Sequence, residues 1–248
     1  MPSATEPEVR CPRRRAAVVV LTAVSCLALT ALAAPRAIAA PAPSSGCAAV
    51  NIITARASTE AQGEGMTGNL VTQIVNSSTQ TVSHEAVVYP ATLTNYTSSE
   101  SQGVTNAEQE LATAVQNCPN QKQVLLGYSQ GAEVTMDVIT GNSEVGGTVA
   151  PVSTAISSHV VALANFGDPG HVVSQPWNLG TATLNGLFPR STSQLQLLSA
   201  FGGSSKIASW CDSGDPFCAS GANLNVHLTY LNRYQNAAAS FVLSKIGG

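Results

Sequence analysis

The stretch Gln123-Val124-Leu125-Leu126-Gly127-Tyr128, running straight into Ser129-Gln130-Gly131, is the feature that most constrains this chain. Its apolar first half reads as a buried strand, and Gly131 to Ile139 reads as a helix. A serine on so sharp a strand-to-helix turn is held in a strained backbone conformation, with its hydroxyl above the sheet. Glycines on either side let strand and helix approach without side-chain clashes. The helix behind it offers free backbone N–H groups to an oxyanion. The plainer alternative is a tight glycine turn whose serine only caps a helix; the strand–turn–helix setting favours a nucleophile.

The rest of the chain supplies matching elements. Val50 to Ala55, Ala86 to Tyr89, His159 to Phe166 and Lys206 to Trp210 read as further strands, which makes five. Gly68 to Val75, Ala107 to Val115 and a long closing stretch from His227 to Ile246 read as helices. Strands alternating with helices imply parallel pairing with helices on both faces. The fold class expected is therefore α/β, a three-layer sandwich around a central, mainly parallel five-stranded sheet.

Arg10, Arg13, Arg14 and Arg15 precede an apolar run from Ala16 to Ala34, and small residues then gather at Ala37-Ile38-Ala39-Ala40. That order marks residues 1–40 as a secretory signal peptide. The small-residue exit and the Pro41-Ala42-Pro43 linker (41–46) favour cleavage over a membrane anchor, although the apolar run is just long enough to span. Residues 47–248 then form one catalytic domain of ordinary size. Without the leader, six Lys+Arg face twelve Asp+Glu, a net charge near −6 with no basic run. Nucleic-acid binding lacks its electrostatic footprint. Charged residues make up only 10% of the chain, which suits neutral substrates such as esters and polysaccharides.

A nucleophilic serine needs a base, and the base an orienting carboxylate, in the chain order serine, acid, histidine. His159, His171 and His227 follow Ser129. His159 opens an apolar strand and reads as structural. His171 lies three residues from Asp168, too close for two groups that normally come from separate loops. His227 comes late, with Asp212 and Asp215 upstream in a short polar loop between Cys211 and Cys218. Asp215 is favoured, because Asp212 sits at the loop base. The four cysteines beyond the leader, Cys47, Cys118, Cys211 and Cys218, permit three pairings. Cys211 and Cys218 could staple the short loop, leaving Cys47 and Cys118 to close a long one. A four-thiolate metal site fits the spacing poorly.

Four motifs in this order resemble those of the cutinases and related acetylxylan esterases, and the resemblance spans the chain from Cys47 to the last helix. They are Ala55-Arg56-Ala57-Ser58-Thr59-Glu60, Gly127-Tyr128-Ser129-Gln130-Gly131, the segment Cys211 to Cys218, and Val226-His227-Leu228. The resemblance implies Ser129 as nucleophile, Asp215 as acid and His227 as base. It implies oxyanion donors at Ser58 and Gln130, pairings Cys47–Cys118 and Cys211–Cys218, and neither metal nor organic cofactor. Ala57 departs from the glycine usual there. Arg56 and Glu60 read as a loop-bracing ion pair or as solvated charges.

The activity so implied is a secreted, extracellular serine carboxylester hydrolase, a monomer with no membrane anchor. Its substrates would be cutin-like polyesters or short-chain esters, with acetylated xylan the alternative plant polymer. Leu179, Leu184, Leu187 and Phe188 are candidates for an apolar rim around the site. Two rivals use the same fold. A non-catalytic binding module has no need of Ser129, Asp215 and His227 together, whereas a serine peptidase or acyltransferase would use all three.

Overall fold

The computed structural model describes residues 46–247. The signal-peptide expectation, and all of the linker but Gly46, lie outside them. Among the described residues, six strands form one sheet in the order β2-β1-β3-β4-β6-β5, and every pairing in it is parallel. The strands are β1 (Val50–Ala55), β2 (Val82–Ala86), β3 (Lys122–Tyr128), β4 (Val160–Phe166), β5 (Asn178–Leu179) and β6 (Ile207–Trp210). Around them run α1 (Gly68–Ser77), α2 (Tyr96–Asn117), α3 (Gln130–Thr140), α4 (Thr154–Ser157), α5 (Thr192–Phe201), α6 (Leu224–Leu228) and α7 (Tyr230–Ile246).

The central strands are apolar on both faces because both are covered. Val124, Leu126 and Tyr128 of β3 pack with Leu70 and Ile74 of α1 and with Ala238 and Val242 of α7. Leu125, one residue out of phase, packs with Leu111 of α2, Val134 of α3 and Leu198 of α5. Each large side chain buried in this way contributes roughly 1.5–3 kcal/mol. Three layers follow directly from a period of two in a sheet with two partners. The sheet builds outward in both directions from the gap between β1 and β3, so the loops leaving those two strands open a crevice at their carboxyl ends.

The expected five strands become six. Asn178–Leu179 is a two-residue edge strand, too short for any periodicity to show. The expected strand at Ala86 to Tyr89 is displaced: the ladder runs through Val-Ser-His-Glu-Ala at 82–86 and ends where the apolar run begins. As an edge strand, β2 is only half covered and has no call for an apolar sequence. Beyond it, the Val87 and Tyr89 carbonyls accept hydrogen bonds from the Arg56 guanidinium instead of a strand. The final helix also breaks, at Thr229, into α6 and α7.

Behind α3 lies a buried cluster in which Arg190 bonds Asp137 at 2.8 Å and Asp168 at 2.6 Å, with Glu144 at 4.0 Å. This one guanidinium ties the loop after β4 to α3. Glu133 and Asp137 are fully buried, and desolvation holds both carboxyls well above the usual range. Glu100 accepts a hydrogen bond from Asn142 at 2.6 Å, but burial still pushes it up to about 7.

Two expectations follow. At Gly131, a Cβ would overlap the Ala55 and Arg56 carbonyls where α3 crosses β1. Gly131→Ala should cost about 1–3 kcal/mol in a denaturation series, and an unchanged midpoint would contradict so tight a crossing. Glu100 takes up a proton on folding, so its contribution is fully present below its ordinary value near 4.5 and is lost as pH rises through about 7. Thermal melts of Glu100→Gln should therefore gain on the parent between about pH 5 and pH 8; a constant difference in Tm would show that Glu100 does not carry this proton.

Candidate active site

Ser129 stands between β3 and α3 with φ 55° and ψ −123°, a positive-φ conformation that a serine adopts only under constraint. Its N–H donates to the Phe166 carbonyl at 2.8 Å, while its own carbonyl accepts from Ala132 and Glu133 as the helix starts. The turn is thus pinned to β4 on one side and to α3 on the other. The side chain emerges at the carboxyl end of the sheet, only 8% exposed but lining a cavity.

His227 Nε2 lies 2.9 Å from Ser129 Oγ, and His227 Nδ1 lies 2.7 Å from Asp215 Oδ2. The break at Thr229 makes this possible, because it lets α6 carry His227 over Ser129 while α7 turns down against the sheet. Tyr128 Oη donates to the His227 carbonyl, and the Phe217 ring packs on the imidazole at 4.5 Å. Gly167 sits beneath with φ 64°, where a Cβ would press within 2.7 Å of the imidazole ring. Asp215 Oδ1 accepts from the N–H groups of Phe217 and Cys218 at 2.7 and 3.1 Å. Burial opposes charge on Asp215, yet the hydrogen bond and charge of His227 and these two N–H groups hold its carboxyl below the usual range. The Cys211–Cys218 disulfide closes the loop that carries it, and Cys47–Cys118 ties the entry to β1 to the end of α2.

The other candidates stand elsewhere. Asp212 accepts from Thr181, Tyr234 and Arg233, bracing the loop base rather than His227. The Asp168 carboxylate accepts from Arg190 and the Gly170 N–H instead of from the His171 imidazole, and its carbonyl accepts from the His171 N–H at 3.0 Å. His171 is buried, which lowers its pKa, and its Nε2 has no partner among the described residues.

Gln130 opens α3, so its N–H has no carbonyl one helical turn earlier to bond. Its side chain is pinned away by Ser99 and the Thr92 carbonyl. Ser58 is half-buried, lines the same cavity as Ser129, and its hydroxyl makes no hydrogen bond within the described residues. Its loop is braced without an Arg56–Glu60 ion pair. Arg56 donates to the Glu60 carbonyl at 2.9 Å and to Gln62 at 2.8 Å. The Glu60 carboxylate accepts from the Ala57 and Met66 N–H groups at 2.7 and 2.8 Å. Between Ala55 and Glu60 the left-handed residue is Thr59 (φ 70°), so Ala57 does not need a glycine's freedom.

The cavity holds about 540 Å³, with Ser129 and His227 among its lining residues. Leu187 and Phe188 of the expected rim line it, joined by Leu93, Phe217, Leu224 and Leu228; Leu179 and Leu184 are exposed elsewhere. A more polar groove of about 640 Å³ lies at the opposite, amino-terminal end of the strands, beside Asn51, Ser83 and Gln121, and is lined by Cys47 and Cys118 but by none of the candidate catalytic or oxyanion residues.

The family profile described as Cutinase matches residues 46–246. An acetylxylan esterase of Hypocrea jecorina is 32% identical over 211 residues, covering 81% of this chain and 68% of its own. Cutinase 11 of Verticillium dahliae is likewise 32% identical over 211 residues, covering 81% and 70%. Among solved structures, the catalytic core domain of acetyl xylan esterase from Trichoderma reesei superposes with a TM-score of 0.71 at 31% identity, over 80% of this chain and 99% of that one. A parallel sheet, a strained serine at the end of its third strand and these relatives lead to one conclusion: the chain belongs to the cutinase family and is a cutinase-like carboxylic ester hydrolase.

Proposed function

We propose that Ser129, His227 and Asp215 are the catalytic triad of a secreted serine esterase, with residues 47–248 as its catalytic domain once residues 1–40 are removed. The observation that carries this reading is the unbroken chain of short contacts, 2.9 Å from Ser129 to His227 and 2.7 Å from His227 to Asp215, opening on an apolar cavity. His227 takes the hydroxyl proton as Ser129 Oγ attacks the ester carbonyl, and returns it to the leaving alcohol as the acyl-enzyme forms. Water, activated by the same imidazole, then releases the acid. Asp215 holds the imidazole in the tautomer whose Nε2 accepts that proton, and stabilises the imidazolium that results. Negative charge on the former carbonyl oxygen is met by the Gln130 N–H and by Ser58. This chemistry calls for no metal or cofactor, and the enzyme acts as an extracellular monomer.

The substrate class is read from the cavity. Leucines at 93, 187, 224 and 228, with Phe188 and Phe217, make a surface far larger than an acetyl group fills. It suits the acyl chains of cutin-like polyesters and of esters of several carbons. Removal of acetyl groups from xylan is the second reading, favoured by the 32% identity to an acetylxylan esterase.

Ser129→Ala and His227→Ala should each lower kcat on p-nitrophenyl butyrate by about 10⁴-fold or more while circular dichroism stays unchanged. Ordinary turnover by folded Ser129→Ala would dismiss the triad. Across a p-nitrophenyl ester series, kcat/KM should rise from acetate toward acyl chains of several carbons, with release of monomers from cutin. A maximum at acetate together with deacetylation of xylan would establish the second reading instead.

A further inference from the structure

Three residues after His227, the first residue of α7 points back into the same carboxylate. Tyr230 is fully buried, and its Oη lies 2.8 Å from Asp215 Oδ2, the oxygen already bonded by His227 Nδ1. The direction of this hydrogen bond is settled by its neighbours. The Asp212 N–H points at Tyr230 Oη from 2.8 Å and can only donate. Cys218 Sγ, 3.2 Å away, is spent in the disulfide and has no proton to give. The single phenolic proton is therefore directed to Asp215. Burial and the Asp215 charge hold the phenol well above the ordinary tyrosine range, so that proton stays in place.

We propose that Tyr230 is a positioning residue for the reaction, a fourth member of the chain from Ser129 through His227 to Asp215 that sets how strongly Asp215 attracts the imidazole proton. This rests on the triad reading above. With Phe217 and Cys218 on Oδ1, and His227 and Tyr230 on Oδ2, the carboxylate has four donors. A donor on Oδ2 draws negative charge away from the His227 bond, and its removal leaves a more basic carboxylate and a more basic imidazole. The ring itself is held edge-on to Tyr128 and stacked on Tyr234, with the Arg233 guanidinium 4.9 Å above it. Other titratable or charged groups around His227 are Tyr128 from β3, Glu60 from the loop after β1, and Asp168 with His171 from the loop after β4. The Asp212–Arg233 pair lies at the base of the disulfide loop. None of these reaches the Asp215 oxygens.

The test compares Tyr230→Phe, Tyr234→Phe and site-specific 3-fluorotyrosine at position 230 on p-nitrophenyl butyrate, recording Tm and the pH profile of kcat/KM, with Ser129→Ala alongside. Tyr230→Phe should lower kcat by about 10-fold with little change in KM, from loss of a hydrogen bond to a charged group. Its acid limb should move up by about half a pH unit or more, because His227 gains basicity. The fluorinated phenol is a stronger donor and should move the limb down. Tyr234→Phe, which loses contacts to Asp212 and Arg233 but none to Asp215, should leave the limb in place. An unmoved limb in Tyr230→Phe, with any loss of rate tracking Tm, overturns the proposal. If Tyr230→Phe does not fold, the fluorotyrosine limb decides alone, and no downward shift overturns it. Inactive Ser129→Ala together with an unmoved limb refutes Tyr230 only, whereas active Ser129→Ala refutes the triad itself.

Discussion

The close crossing of α3 over β1 and β3 is the constraint on which the rest depends. Gly131 sits against the Ala55 and Arg56 carbonyls, so the chain must leave β3 and enter α3 within a single residue. That residue, Ser129, pays in backbone strain at φ 55° and is kept there by hydrogen bonds to both neighbouring elements. The same crossing sets the start of α3 and its free N–H groups beside the loop from β1. Serine, N–H donors and the Ser58 loop meet at the crevice because the parallel sheet reverses its winding there.

The polar groups below this crevice fall into two kinds of environment. Around Asp215, four donors fill the acceptor sites of one carboxylate, and with the His227 charge they hold its pKa below the usual range against the opposition of burial. Around Arg190, carboxyls outnumber the cation, and burial raises the pKa values of Glu133, Asp137 and Glu100 above the usual range. The first arrangement holds a carboxylate ready to support an imidazolium. The second fastens α3 to the loop after β4, from which Gly167 admits the His227 ring. Helix α3 thus joins both, carrying the strained turn at one end and the buried cluster along its back.

Much of this is legible in the sequence where the candidate site rests on short, unusual local patterns. Ser129 was marked by its glycines and its strand, Asp215 by the cysteines around it, and His227 by its place before a long helix. The central strands were visible because burial on both faces demands continuous apolar residues. The remaining elements lack such a signal. Strand β2 is a polar edge, β5 is two residues long, and the first half of α2 (Tyr96 to Gly103) is rich in serine and threonine. The break at Thr229 follows from Tyr230 turning inward to Asp215, a contact between elements that periodicity cannot report. Arg190 meets Asp137 across 53 positions, and Leu93, Leu187 and Leu224 reach the cavity from three separate loops or helix starts. Pairings of that range are set by topology, and a single sequence carries no local trace of them.

The central claim is that one serine, made reactive by its turn and its imidazole, carries the acyl group. Its most direct measurement is stoichiometric inactivation by an alkyl phosphonate ester, followed by peptide mass spectrometry of the trapped protein. One adduct per chain, confined to the peptide containing Ser129 and formed in step with loss of esterase activity, is the result expected. Full inactivation with the adduct on another residue, or a stoichiometric adduct on Ser129 that leaves turnover intact, would contradict it.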